Sequence, residues 1–374
     1  MRIGIDLTWL KPKKSGGVEV FIRNLLDGFL NIPDDNEYVL FTAKDNTQSM
    51  KEYEKDNRVK IVECNTEANN VIGHLLWQNL NQYRILKKNN INFCFFPVYE
   101  MPIYKSKKIK NVTTIHDIQA IHYPDYFSKA ENFWFRFAWK RTIKISDKVV
   151  GITDFTKKDL EENFKNKGNI VRIYLPVTIK KYDYIDFSKL RNKYNIEENQ
   201  YYYTILSMYK HKNLITLLKV IKKIKDDNIK GIPNKLVVSG VGGPDKENLL
   251  NTIKEMKIED RIVLTNFVSN EERNTLIKNC NIFLFPSLFE GFGLPPIEAR
   301  MIGAKVITTK CASLEEVTMK TCEYIDNPIN TDEWINQIKQ TQEDISEPII
   351  FKEYEKEKIA KQYLNLFYDV IKNK

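Results

Sequence analysis

The sequence predicts an α/β protein of two doubly wound domains, each a parallel sheet with helices on both faces. Three observations carry this reading. Strand-like and helix-like segments alternate almost throughout, the pattern of repeated βαβ units. The alternation stops once, over 176–200, in a polar stretch rich in Lys, Asp, Tyr and Asn, and then restarts. The length, 374 residues, suits two domains of ordinary size. The expected boundaries are 1–178 and 200–345, with 346–374 a terminal helix packing back on the first domain.

In the first domain, Ile3, Ile5 and Leu7 alternate along a strand at 2–7. A loop ending in Ser15-Gly16-Gly17 follows. Val18, Phe21, Ile22, Leu25, Leu26 and Phe29 then share one helical stripe. Further strands are expected at 38–42, 58–62, 92–96, 111–115, 148–152 and 170–174, with helices between most of them. The second domain shows strands at 201–206, 235–239, 261–264, 282–285 and 305–308. Ile359, Tyr363, Leu366, Phe367 and Val370 give the last segment a helical stripe.

Composition narrows the class. Hydrophobic residues at 42% and charged residues at 29% exclude a disordered or collagen-like chain. Lys and Arg number 58 against 49 Asp and Glu, a formal charge of +9. That modest excess suits an anionic ligand or membrane surface and does not call for nucleic acid. Five cysteines, an odd number without C-x-x-C spacing, argue against a disulfide framework or a zinc site. They suit a reducing compartment. No apolar run approaches the ~18 residues of a membrane span. The opening Met-Arg-Ile-Gly-Ile-Asp-Leu reads as a strand instead of a signal peptide, so the expected location is cytoplasmic, at most peripheral to a membrane.

Open α/β sheets bind ligands beyond the carboxyl ends of their strands, so chemistry is sought there. The most informative stretch is 285–309. A strand ends at Phe285-Pro286, a turn carries Glu290-Gly291-Phe292-Gly293, and Pro295 and Pro296 suit the first turn of a helix that holds Glu298 and ends near Gly303. A glycine turn feeding a helix N-terminus offers free N–H groups to phosphate. On spacing alone, a solvated loop Glu and a surface helix Glu fit equally well.

This stretch closely resembles the signature of the retaining glycosyltransferases of family 4, which have the GT-B fold: two Rossmann-like domains facing across a cleft. The matching residues are Pro286, Ser287, Glu290, Gly291, Phe292, Gly293, Leu294, Pro295 and Glu298. The resemblance implies that Glu290 contacts the donor sugar and Glu298 the nucleotide ribose, with Gly293 and Leu294 near the diphosphate. It extends to Lys212-Asn213, after a second-domain strand, where Lys212, helped by His211, would hold the diphosphate. The arginine usual there is absent. An exposed lysine capping a turn is the plainer reading of Lys212.

In the first domain the resemblance places Gly16 and Gly17 beside donor or acceptor, although a plain turn explains them too. It covers His116-Asp117 and Tyr123-Pro124, implying that His116 contacts the sugar or acceptor and that Asp117 orients the acceptor hydroxyl. A strand-end histidine bonded to backbone is the bland alternative. Weaker echoes are 151–156, near the acceptor side, and Ser239-Gly240-Val241-Gly242-Gly243, near the base. Gly240-x-Gly242 lacks the third glycine of a dinucleotide fingerprint.

The chain has no Asp-x-Asp, no phosphate loop of nucleotide triphosphatases and no G-x-S-x-G. The expected activity is metal-independent, retaining transfer of a hexosyl or deoxyhexosyl unit from a nucleotide-diphosphate sugar, with no cofactor. The acceptor is a glycan or a lipid-diphosphate-linked glycan. Resemblance to mannosyl- and rhamnosyltransferases of bacterial surface polysaccharide synthesis, O-antigen or capsule, makes GDP-mannose the first donor to consider. A non-catalytic glycosyltransferase-like partner, a GT-B phosphorylase or epimerase, and an NAD-dependent oxidoreductase are the rivals.

One helical segment points to a membrane. In 131–145, Arg136, Lys140 and Lys144 share a stripe with Phe133 and Phe137 beside it, while Trp134, Phe135, Ala138 and Thr142 are expected to face inward. Cations mixed with rings suit an anionic lipid surface; solvated cations over ordinary packing are the alternative.

Overall fold

The computed structural model describes residues 1–12, 16–166, 168–177, 183–242 and 246–372. The chain forms two compact units. Unit 1 comprises Met1–Thr178 and Lys352–Lys374, and unit 2 comprises Ile179–Phe351.

Unit 1 holds β1 (Arg2–Leu7), β2 (Glu37–Ala43), β3 (Val59–Cys64), β4 (Phe93–Phe96), β5 (Lys110–Ile115), β6 (Lys148–Gly151) and β7 (Ile170–Arg172). They form one sheet in the order β3-β2-β1-β4-β5-β6-β7, and every pairing is parallel. All four residues of β4 are buried, as a strand covered on both faces requires. Unit 2 holds β8 (Tyr202–Ile205), β9 (Leu236–Ser239), β10 (Ile262–Asn266), β11 (Ile282–Phe285), β12 (Val306–Thr309) and β13 (Glu323–Ile325). Their order is β10-β9-β8-β11-β12-β13, again parallel throughout. The strand order reverses between β1 and β4 in unit 1 and between β8 and β11 in unit 2. Connections leave those neighbours in opposite directions, which opens a crevice at their carboxyl ends.

The two-sheet α/β architecture expected from the alternation is what the structure shows. It adds one strand, β13, three residues long with an exposed glutamate at its start and no alternation to reveal it. The polar stretch before residue 200 also contains a helix, Phe187–Tyr194. Asp186 caps its N-terminus by accepting from the Ser188 N–H, and Leu190 is its one buried residue. A helix that buries so little leaves almost no periodic signal.

The last helix, Lys356–Lys372, belongs to unit 1 and packs along helix Gly16–Asn31. Tyr363 and Phe367 enter an aromatic cluster with Phe29, Phe93 and Phe95. At its start the Asn31 amide donates to Glu357 at 2.6 Å, and near its end the Asn36 amide donates to the Tyr368 hydroxyl at 2.9 Å. The helices meet at Gly28, where an added Cβ would run into the Lys356 backbone carbonyl. Gly28→Val is expected to lower unit 1 stability by about 1–3 kcal/mol, the usual cost of overpacking. Urea denaturation checks this; an unchanged midpoint would show that the terminal helix does not depend on this contact.

Candidate active site

In unit 2 the segments that leave β8 and β11 meet at the reversal of strand order. The first carries Lys212 and the second Glu290. The Lys212 Nζ donates to Glu290 Oε1 at 2.6 Å, with the side chains 19% and 11% exposed. Such a pair, half withdrawn from water, needs a rigid frame, and hydrogen bonds supply it. The Leu288 N–H donates to the His211 carbonyl at 2.7 Å. The Ser313 hydroxyl donates to the Glu290 carbonyl at 2.9 Å, and the Thr309 hydroxyl to that of Ser287 at 2.6 Å. Asn213, at φ +54°, donates through its side-chain amide to the carbonyls of Pro286 and Pro328, both at 3.2 Å.

Gly293 caps helix Leu294–Ile302 at φ +84°, a left-handed conformation that favours glycine, and an added Cβ there would strike Leu314. Among the described residues no side chain caps this end. Pro295 and Pro296 carry no N–H, so the N–H groups available at the tip are those of Gly293 and Leu294. They suit an anion beside Lys212. One turn further along, Glu298 is paired with Arg273 at 3.3 Å. Burial pushes the Glu298 carboxyl up, and the Arg273 charge pulls it back. Arg273 went unseen in the sequence. It reads there as part of a solvated Glu271-Glu272-Arg273 run, and its partner lies 25 positions away.

His211 is buried and stacks on Tyr209 at 5.7 Å. Burial, with Lys212 adding to it, pushes its imidazole down to about 4. It is therefore neutral at physiological pH and adds no cation to Lys212. Gly240 follows β9 at φ +83°, where a Cβ would strike the Leu206 carbonyl. Gly243 lies outside the described residues.

In unit 1, His116 follows β5. Its Nε2 lies 3.0 Å from the Pro97 carbonyl, so that nitrogen carries the proton and donates. Phe21 meets the ring edge-on at 5.1 Å. Burial pushes the imidazole down to about 4, the Pro97 bond opposing it. Asp117 accepts from the Gln119 N–H at 3.0 Å, so the two neighbours engage different partners. Gly16 and Gly17 begin helix Gly16–Asn31, with Gly16 at φ +52° and open space where a Cβ would project. Ser15 lies outside the described residues. Thr153 caps helix Asp154–Phe164, accepting from the Thr156 N–H at 3.0 Å. Sequence reading also missed the His122 Nε2–Asp159 pair at 2.8 Å, 37 positions apart.

Helix Lys129–Ile145 starts at a capping box in which Ser128 accepts from the Glu131 N–H and Glu131 from the Ser128 N–H. Arg136, Lys140 and Lys144 are exposed, as are Phe133 and Phe137. Trp134 corrects the expectation that it faces inward: it is 38% exposed, with its ring 5.9 Å from Phe137. The buried stripe instead runs through Trp139, Thr142 and Ile143, with half-buried Phe135 stacked on Trp139, and Trp134 falls one position off it. Thr142 is buried, its hydroxyl donating to the Tyr99 carbonyl at 2.8 Å, and Ala138 is half-buried. Among the described residues no three His, Cys, Asp or Glu side chains cluster closely enough to share a metal ion. No helix there is long and apolar enough to cross a membrane.

Comparison with known proteins bears on the family and the fold. Residues 15–181 match the family described as Glycosyltransferase Family 4, and residues 186–358 match Glycosyl transferases group 1. The O-antigen chain mannosyltransferase RfbU of Salmonella typhimurium is 24% identical over 283 residues, covering 75% of this chain and 74% of its own. The sucrose-phosphate synthase of Thermosynechococcus elongatus has a similar fold, with a TM-score of 0.75 at 14% identity and 99% of each chain covered. Anabaena HepE in complex with UDP and glucose aligns with a TM-score of 0.66 at 15% identity, covering 99% of this chain and 96% of that one.

His116 generates a pH prediction. Its folded-state value near 4 lies below the ordinary value of about 6.5, so between those limits the unfolded chain binds a proton that the folded chain refuses. The stabilisation is complete above about pH 6.5 and is lost as pH falls toward 4. Urea midpoints measured from pH 7 to 4.5 should fall less steeply in His116→Gln than in the parent; equal slopes would mean that the imidazole is not held neutral.

Proposed function

We propose that this chain, which belongs to the glycosyltransferases of the GT-B fold, moves a hexosyl or deoxyhexosyl unit from a nucleotide-diphosphate sugar to an acceptor hydroxyl. The observation that carries the proposal is the Lys212–Glu290 pair at the reversal of the second sheet, beside a helix tip without a side-chain cap. Lys212 and the N–H groups of Gly293 and Leu294 would receive the diphosphate. Glu290 would contact the sugar, and Glu298, oriented by Arg273, would hold the ribose hydroxyls. Gly240 would border the nucleotide.

Transfer is proposed to retain the anomeric configuration by a front-face route. The bond from C1 to the diphosphate oxygen breaks while the acceptor oxygen bonds C1 from the same face. The acceptor proton passes to the departing phosphate. Lys212 and the helix tip would stabilise the charge that develops on the diphosphate, which removes the need for a metal. On unit 1, His116 is proposed to contact the sugar or acceptor. With its Nε2 proton engaged by Pro97, it offers Nδ1 as an acceptor rather than a transferable proton. Asp117 would orient the acceptor hydroxyl, and Gly16 and Gly17 would allow close approach of a ligand to the backbone.

The relative named an O-antigen chain mannosyltransferase supports mannose, from GDP-mannose, as the first sugar to test and a surface polysaccharide as the product. A glycan or lipid-linked glycan is the proposed acceptor. The exposed Phe133, Arg136, Phe137, Lys140 and Lys144 would bring the protein to the cytoplasmic face of a membrane.

Two measurements test this reading. Thermal unfolding with UDP-, GDP-, dTDP- and ADP-sugars in EDTA should give a rise in Tm with one nucleotide class, since a ligand that binds the folded state stabilises it. The rise should vanish in Lys212→Ala and Glu298→Ala, and Glu290→Ala should lower kcat by about 100-fold or more. Absence of any shift, or full transfer by Glu290→Ala, would reject the assignment. Separately, charge reversal of Arg136, Lys140 and Lys144 to Glu should reduce co-sedimentation with anionic liposomes; unchanged sedimentation would remove the membrane contact.

A further inference from the structure

Helix Val71–Lys88 is built inside out. A surface helix normally turns its apolar stripe to the core and its polar face to water. Here His74, Gln78 and Gln82, four residues apart, are only 3%, 1% and 2% exposed. Ile72, Leu76 and Leu80, also four apart, stand 74%, 61% and 63% exposed. Side chains four apart lie one above the other on a helix, so each triplet forms a ridge. Trp77 and Leu86 enter the core cluster that also holds Val39, Phe41 and Cys94, which fixes the helix in this orientation. His74 and Gln78 line a cavity of about 510 Å³ at the reversal between β1 and β4. Its other walls come from the segments that follow those two strands and from helix Lys129–Ile145. The apolar ridge therefore cannot roll inward. A single exposed leucine needs no explanation, but a continuous row of three large aliphatic side chains marks a contact surface.

Charge decides what covers the ridge. From Val71 to Tyr83 the helix carries no Asp, Glu, Lys or Arg. An anionic lipid surface draws a helix through cations set beside its apolar face, and this ridge has none along its length. The centres of protein interfaces are depleted in charge in just this way. The charges are gathered at the ends. Arg84 continues the ridge one step beyond Leu80, and Lys87 and Lys88 follow, all exposed. At the other end Glu67 is exposed, and Asp45 stands beside it, accepting from the N–H groups of Ala68 and Asn69 at 2.8 and 3.0 Å. One end of the ridge is basic and the other acidic.

We infer that the ridge docks a second copy of this chain, the two helices running antiparallel about a two-fold axis at Leu76. Leu76 then meets Leu76 of the second copy, and Ile72 meets Leu80. The basic end of each helix faces the acidic end of the other, so the complementary contact is made twice. A parallel pair would set Arg84, Lys87 and Lys88 against their own copies. Such an isologous contact closes on itself and gives a dimer without filaments. A helix of 18 residues is about 27 Å long, so the contact is small and the dimer reversible. The inference is independent of the transferase reading, since it uses no residue assigned to donor or acceptor.

Sedimentation equilibrium of the full chain, without detergent and from about 0.1 to 100 µM, tests it. A monomer–dimer equilibrium is expected, with a Kd of about 1–10 µM. Leu76→Glu, at an exposed position that folding tolerates, puts two like charges at the centre of the contact and should raise Kd by about 100-fold or more, with Tm unchanged. Arg84→Glu should raise it by about three- to tenfold at low salt, and Glu67→Arg in the same chain should restore it. Leu76→Cys should form a covalent dimer on oxidation with diamide, whereas the parent, whose Cys64, Cys94, Cys280 and Cys322 are buried, should not. A parent that stays monomeric throughout, or a dimer indifferent to Leu76→Glu, would overturn the inference. Failure of Leu76→Cys to cross-link in a parent-like dimer would overturn the antiparallel arrangement. Co-sedimentation of a monomeric parent with phosphatidylcholine vesicles, lost in Leu76→Glu, would assign the ridge to a membrane instead.

Discussion

The reversal of strand order in a parallel sheet is the constraint on which the rest of the molecule depends. A chain that builds β1, β2 and β3 outward must return to place β4 on the other side of β1, and unit 2 repeats this with β8 and β11. Crossovers cover both faces of each sheet, yet neither can cover the gap between two connections that diverge. Each unit therefore carries one crevice at the carboxyl ends of its central strands. In unit 2 that crevice holds Lys212 and Glu290, and in unit 1 it opens into the cavity above His74 and Gln78. The chemistry differs because the residues following the strands differ.

Electrostatics in unit 2 is arranged as matched pairs. Glu290 is held by Lys212 and Glu298 by Arg273, so neither carboxylate presents an uncompensated charge. A half-buried carboxylate left alone would be costly, and beside a diphosphate it would repel the ligand. The pairs therefore spare the fold a lone half-buried charge and leave the anion to the helix tip and to the charge Lys212 can share. The histidines play no part in that balance. His116 and His211 are both neutral because burial penalises their charged forms, which limits them to hydrogen bonding and packing near neutral pH.

Stability and ligand binding make opposite demands in unit 1. The aromatic cluster around Tyr363 and Phe367, and the close approach at Gly28, anchor the terminal helix with apolar contacts and satisfied polar ends. Around helix Val71–Lys88 the rule is broken: among the described residues both ring nitrogens of buried His74 and the Nε2 of buried Gln78 have no hydrogen-bond partner, and Ile72, Leu76 and Leu80 are left in water. Folded chains violate such rules chiefly where function requires it. The violation is local, and the well-packed sheet beneath it supports the cost.

Alternating periodicity alone made the two sheets legible, because a βαβ chain must switch between periods of 2 and 3.6 at every crossover. The ordered run from Pro286 to Glu298 likewise located the loop and helix that carry Glu290 and Glu298, since turn glycines and helix-opening prolines are local signals. What the sequence could not disclose are pairings between distant positions. Lys212 with Glu290 is separated by 78 residues, His122 with Asp159 by 37, and Arg273 with Glu298 by 25. Nor could it disclose the true face of Trp134, one position off the buried stripe, or the cavity, whose walls come from four separate segments. Local conformation is set by neighbouring residues and can be read from them. Pair distances, burial and the neutral state of a histidine are set by whatever the fold brings alongside, and only the tertiary structure decides that.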